Sequence, residues 1–235
     1  MLAYKCKQNS IVETSYLLGV NMFSFRLYNA FIFFAVLFVS FDIQAQTSEK
    51  PRIEVPEGEK IQKDNFYPRV KFETTMGDIV IELSRSKAPI TTNNFLHYVQ
   101  KKEYDNTLFH RIIPEYIVQG GGYDPEYNDK KSFHKIINES GNGLKNRAYS
   151  LAMARVNDPH SAKRQFFINV SDNENLDPGR NWGYTVFADV VEGYEVVDAM
   201  SMVETEVNPV IGFPDTPVEK IILKRAIILP ELTYD

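Results

Sequence analysis

"FHRIIPEYIVQGGG", Phe109 to Gly122, is the stretch on which the reading of this chain turns. Two short apolar runs are separated by a proline and closed by three glycines, a length and punctuation that suit strands. Within them stand His110, Arg111, Glu115 and Gln119. An arginine on an apolar strand is commonly a snorkelling side chain or an ion-pair partner. Arg111 needs an explanation from the rest of the chain.

Working outward, the same kind of segment recurs. "SLAMAR", "QFFINV" and "YTVFADV" follow downstream, and "VEKIILKRAIIL" lies near the C-terminus. Upstream, "VKFETTMGDIVIEL" forms two β-rich runs joined at Met76-Gly77-Asp78, a hairpin signal in which glycine supplies the positive backbone angle of a tight turn. Two segments break the pattern. In "KAPITTNNFLHYVQKKEY", Pro89 suits a first helical turn, and Phe95, Leu96, Tyr98 and Val99 form an apolar stripe before lysines close the end. "GYEVVDAM" carries a second helical pattern. Many short strands with two helices predict a mostly β domain, a barrel or a sandwich. The domain is expected over residues 70–229, with a short tail at 230–235. Residues 46–69, charged and holding three prolines, read as a linker or arm.

The N-terminus is of another kind. Ala30 to Phe41, "AFIFFAVLFVSF", is an apolar run preceded by Arg26 and followed by a small residue at Ala45. It reads as a secretory signal over residues 1–45, which predicts a periplasmic or extracellular protein. A retained membrane anchor through residues 27–43 is the alternative, although a spanning helix needs about 20 apolar residues. Met22 offers a second start that gives a more ordinary signal length. The single cysteine, Cys6, falls in the same segment. The remaining chain therefore has no thiol for a disulfide or a nucleophile. A net charge of -5 gives no basic footprint, so nucleic acid is excluded as a partner on electrostatic grounds.

Familiar catalytic constellations are missing. The sequence has no "GxSxG" elbow, no "HExxH" and no phosphate-cradling "GxxxxGK". His97, His110, His134 and His160 never fall at metal-ligand spacing, and "DNENLD" lacks the glycine and distal glutamate of a calcium loop. No metal and no cofactor is expected. The polar residues left inside apolar runs are chiefly Arg111, Gln119 and Gln165.

Taken in order, "GDIVIEL", "APITTNNF", "FHRIIPEYIVQGG", "LAMAR", "QFFINV" and "GYTVFADVVEGYEVVDAM" resemble the cyclophilin family of peptidyl-prolyl isomerases, its bacterial branch above all. The resemblance covers about Val70 to Leu229. It implies a closed eight-stranded antiparallel barrel capped by two α-helices, with an active groove on the outer face. It also implies roles residue by residue. Arg111 matches the catalytic arginine and Gln119 the glutamine that holds its guanidinium. Tyr116, Ile117, Phe167 and Leu176 match the apolar proline pocket, with Tyr116 where many members have phenylalanine. Ala154 and Arg155 match the edge that pairs with bound peptide, Arg155 standing where asparagine is frequent. Gln165 matches a polar contact, and Tyr184 is placed with the substrate-binding residues. Asn175 occupies the position of a tryptophan in cyclosporin-sensitive members, so cyclosporin binding is expected to be weak unless Trp182 compensates.

Such chemistry explains the residue types. Rotation about a peptide C–N bond faces roughly 18–20 kcal/mol because of its double-bond character. At the twisted transition state the proline nitrogen regains a lone pair, and a donor aimed at it binds that state selectively. Arginine stays charged and holds its donors in a rigid fork. Two readings follow from the sequence: an isomerase acting on proline-containing polypeptides, expected to be a monomer, or a cyclophilin-shaped chaperone or binding module with little turnover. The combination of Arg111, Gln119 and Phe167 favours the enzyme. His110 is read as structural, since the reaction needs no general base, and Gly120 to Gly122 are read as turn residues.

Overall fold

The computed structural model describes residues 57–232. The export signal, the choice between Met1 and Met22, and the first part of the arm fall outside the described residues. Within them the strands are β1 (Arg69–Thr74), β2 (Asp78–Leu83), β3 (Thr107–Ile113), β4 (Ile117–Gly120), β5 (Ser150–Met153), β6 (Phe166–Asn169), β7 (Val186–Glu192), β8 (Thr205–Glu206), β9 (Thr216–Pro217) and β10 (Ile221–Ile228). The helices are α1 (Pro89–Gln100) and α2 (Tyr194–Ser201). Eight strands close an antiparallel barrel in the order β1-β10-β3-β4-β6-β5-β7-β2, with β8 and β9 forming a separate ribbon. The barrel and both helices match the expected fold.

Local signals account for much of this. β1 and β2 pair from Arg69↔Glu82 to Glu73↔Asp78, and Gly77 closes the turn at φ +138°. Pro89 opens α1 as anticipated, although Ala88 supplies no side-chain cap. The cap comes from a distant residue. The Glu139 carboxylate accepts from Ile90 N at 3.1 Å, Thr91 N at 2.8 Å and Thr91 Oγ1 at 2.7 Å, placing negative charge where the helix dipole favours it.

The barrel interior is filled by aromatic rings. Phe166 lies at its centre, 5.5 Å from Phe72 and from Tyr104 and 5.7 Å from Phe95, ring to ring. Phe167, its neighbour, belongs to a second cluster on the outer face with Ile117, Ala152 and Val186. Period-two alternation separates the two rings as expected. Removing a buried ring such as Phe166 would cost about 3–5 kcal/mol.

The arm reading meets a difference from Glu57 onward. A 3-10 turn at Glu57–Lys60 lies against α1, where a Cβ on Gly58 would approach Asn93 O to 1.9 Å. The buried Arg85 guanidinium donates to the carbonyls of Ile61, Gln62 and Asn65, and Gln62 Nε2 donates to Leu229 O at 2.7 Å. Backbone carbonyls, which sequence periodicity does not register, hold this polar segment on the barrel.

Candidate active site

The outer face of the barrel carries one continuous row of residues across five strands. Arg111 on β3 is in register with Gln119 on β4, Gln119 with Phe167 on β6, Phe167 with Ala152 on β5, and Ala152 with Val186 on β7. With about 4.8 Å between strands, the Arg111 and Phe167 backbones lie roughly 10 Å apart, a span suited to a short peptide segment.

Arg111 reaches this face because β3 is bulged. Phe109 pairs with Gly120 and Arg111 with Gln119, so His110 has no register partner. Phe109 and Ile112 both point into the core. In an unbroken strand Arg111 would share the face of Phe109 and enter the barrel. The extra residue re-aims the guanidinium outward, as bulges beside functional sites do.

Beside this row a groove of about 700 Å³ is lined by Arg111, Tyr116, Ile117, Gln119, Ala154, Arg155, Gln165, Phe167, Leu176 and Tyr184. Every anticipated site residue except Asn175 is among them. One end is apolar: Phe167 meets Tyr184 edge to face at 5.6 Å, with Ile117 and Leu176 beside them. Asp129, Ser132, Lys135 and Lys163 add a polar part to the lining.

Each wall has its own tether. Leu176 sits on a 3-10 turn, Glu174–Leu176, tied to the site when Asn173 Nδ2 donates to Tyr116 O at 2.9 Å. Asp177 Oδ1 accepts from Asn146 N at 2.8 Å and Nδ2 at 3.0 Å, fixing the other end of that turn. Asn175 is exposed, and its Nδ2 donates to the Tyr116 hydroxyl at 2.9 Å. Trp182 packs edge to face on His160 at 5.0 Å and is not one of the groove-lining residues. Arg155 uses its side chain on the protein itself. It donates to Trp182 O at 2.6 Å, Val156 O at 2.9 Å and Gly183 O at 3.3 Å, and covers the Tyr184 ring at 4.5 Å. Ala154 N–H is committed to Gln165 O at 2.9 Å, so a bound peptide would have to use other backbone groups of this edge.

The reading of the three glycines as turn residues holds in part: Gly121 and Gly122 lie in the bend that follows β4, but Gly120 does not. Gly120 is the last residue of β4, and only Gly121 has a positive φ, +83°. A Cβ on Gly122 would fall 2.3 Å from Gln165 Nε2, so this glycine makes room for the Gln165 side chain. The space matters because Gln119 Nε2 donates to Gln165 Oε1 at 3.0 Å.

That bond also alters the setting of Arg111. The anticipated hydrogen bond from Gln119 to the guanidinium is not made among the described residues. Two residues that sequence reasoning missed stand there: the Asp215 carboxylate, 3.4 Å from Arg111 Nε, and the Phe213 ring, 5.8 Å from the guanidinium carbon. The pairing with Asp215 is ionic, since Nε is buried without a hydrogen bond of good geometry. "FPD" at Phe213 to Asp215 has no pattern that would have announced this role.

His110 is fully buried against Tyr123 at 4.7 Å and Phe213 at 5.7 Å, and neither ring nitrogen makes a well-formed hydrogen bond. Burial lowers its pKa from 6.5 to about 4; the Leu108 backbone opposes the shift, and the Arg111 charge adds to it. The imidazole is neutral at neutral pH. No group of three or more metal-ligating side chains occurs among the described residues.

Such a barrel, with an arginine beside an apolar wall on its outer face, defines a cyclophilin-like protein. The family described as cyclophilin type peptidyl-prolyl cis-trans isomerase/CLD matches residues 69–226, and the chain belongs to it. It is 46% identical to peptidyl-prolyl cis-trans isomerase cyp18 of Streptomyces antibioticus over 164 residues, covering 68% of this chain and 98% of that protein. It is 45% identical to peptidyl-prolyl cis-trans isomerase B of Escherichia coli (strain K12), again over 68% of this chain and 98% of the relative. Among solved structures, a cyclophilin type isomerase of Cryptosporidium parvum in the presence of the dipeptide Ala-Pro is similar at a TM-score of 0.55 and 26% identity, with 69% of this chain and 99% of that one covered.

Proposed function

We propose that this protein speeds cis-trans isomerisation of X-Pro bonds in exported polypeptides, with Arg111 as the donor to the twisted prolyl nitrogen. The observation that carries the reading is the register row in which Arg111 and Phe167 flank Gln119 on the outer face. A proline ring seated against Phe167, Ile117, Leu176 and Tyr184 is held while the preceding residue turns. Arg111 Nε faces Asp215, which leaves the terminal guanidinium nitrogens as the donors available to substrate.

The donor acts selectively. A planar prolyl amide has no lone pair to offer, so the guanidinium contributes little to ground-state binding and much to the twisted state. Tyr116, Arg155 and Gln165 shape the groove, and Ala154 and Arg155 contribute its edge. The Ala-Pro dipeptide present with the Cryptosporidium parvum relative supports proline-containing peptides as ligands. The protein acts as a monomer on such chains.

NMR exchange on a proline peptide, with residues 57–235 and with the full chain, tests the activity. Exchange accelerated at catalytic concentrations supports it. Binding without acceleration would leave a peptide-binding module in its place. Export rests on the apolar run Ala30 to Phe41 followed by Ala45. N-terminal sequencing of protein from a native-like host should find a start near Gln46, and membrane-bound material with residues 22–45 intact would overturn it.

A further inference from the structure

We propose that Asp215 is a positioning residue for the isomerase reaction, orienting Arg111 through its Nε; the proposal rests on the reading of Arg111 as the donor. Three observations carry it. The carboxylate lies 3.4 Å from Nε as an ion pair, and that buried nitrogen has no hydrogen-bond partner among the described residues. The Asp215 backbone is fixed to β3 beside the arginine, since Ile112 N donates to Asp215 O at 2.7 Å. Gln119, the other candidate for holding the guanidinium, is committed to Gln165.

The loop that delivers Asp215 is internally braced. Asn208 N donates to Phe213 O at 2.9 Å, Gly212 N donates to Asn208 O at 2.9 Å, and Asn208 Oδ1 accepts from Val210 N at 2.8 Å. Phe213, from the same loop, covers the guanidinium face. A long arginine side chain has several rotatable bonds, so a donor confined by its tip alone would sample many directions. Holding Nε from behind and one face from the side restricts the fork to the direction of the groove.

The carboxylate also opposes the guanidinium charge. If neutralisation outweighed orientation, removing it would raise the rate. Orientation should win because Asp215 and Arg111 are each about 30% exposed, where solvent weakens the charge effect more than it weakens a geometric restraint.

Exchange rates and peptide affinity should be measured for wild type, Asp215→Asn, Asp215→Glu, Arg111→Ala and the Arg111→Ala/Asp215→Asn double variant, with circular dichroism on each. Asp215→Asn should lower turnover roughly tenfold, less than the ~100-fold that a 1 Å misplacement can cost. Affinity should stay within about twofold, because the ground state does not use the donor. Asp215→Glu should recover part of the loss, and Asp215→Asn should change nothing further once Arg111 is alanine. The Arg111 Nε resonance should move in folded Asp215→Asn. Unchanged or faster turnover in folded Asp215→Asn, or an equal loss in both backgrounds, overturns the role. A folded Arg111→Ala protein that keeps its rate overturns the reading of Arg111 itself, and is seen in the single variant.

Discussion

Gln119 and Arg111 face each other across β3 and β4 as register partners, yet the Gln119 amide donates to Gln165 at 3.0 Å and the Arg111 Nε faces Asp215 at 3.4 Å. The two side chains share a row without sharing a hydrogen bond. The guanidinium therefore faces the Asp215 carboxylate, while the two glutamines form a polar strip beside it.

Arg111→Ala should fold normally and lose most activity. Losing one preorganised transition-state donor commonly costs about 2.7–4 kcal/mol, or roughly 100- to 1000-fold in rate. Arg111→Lys should recover little, because an ammonium has no planar fork to be oriented. Peptide affinity should fall far less than turnover. A folded alanine variant keeping more than about a third of the wild-type rate would be incompatible with this role.

Arg155→Ala should weaken substrate binding more than it slows turnover. The lost contacts to Trp182 O, Gly183 O and the Tyr184 ring anchor the apolar wall rather than the donor. With part-exposed hydrogen bonds worth about 1 kcal/mol each, KM should rise roughly 5- to 10-fold at nearly constant kcat. The split is measured by titrating peptide in the exchange assay. A fall in kcat alone would move Arg155 into the chemistry.

Cyclosporin should bind weakly. Asn175 has neither an indole donor nor a large apolar face, and Trp182 is occupied against His160. Interface aromatics of this kind are worth about 2 kcal/mol or more, so Asn175→Trp should tighten binding by roughly 30-fold. Calorimetric titration decides it, and nanomolar affinity for the wild type would refute the expectation.

His110 should make the fold sensitive to acid. Its folded-state pKa, about 4, lies below the ordinary 6.5, so the unfolded chain binds the proton more readily. The contribution to stability is fully present above about pH 6.5 and is lost as pH falls from there towards 4. The total is on the order of 3 kcal/mol, from a shift worth about 1.4 kcal/mol per pH unit. Urea midpoints at pH 7.5 and 4.5 should fall less for His110→Phe than for wild type. An equal fall in both would remove His110 as the cause.

Much of the fold was legible because its signals are local. Gly77 between two β-rich runs, Pro89 before an apolar stripe, and the adjacent pair Phe166 and Phe167 each report a geometry set within a few residues. The ordered motifs around Arg111, Gln119 and Phe167 likewise pointed to the groove, because a closed barrel leaves alternate side chains on its outer face. By itself the sequence determined the eight barrel strands, the two α-helices, the family and the residue types of the pocket, but gave no sign of the β8–β9 ribbon.

Tertiary structure decided what those residues touch. Glu139 caps α1 from 49 residues away, and Asp215 reaches Arg111 from another part of the chain. Neither contact has a period to betray it. The bulge at His110 is equally silent, since one unpaired residue reverses the face of Arg111 while leaving the apolar pattern of "FHRII" unchanged. Strand periodicity records which residues prefer to leave water. Direction and partnership arise only when the barrel closes, because they depend on register between strands and on loops returning from remote positions.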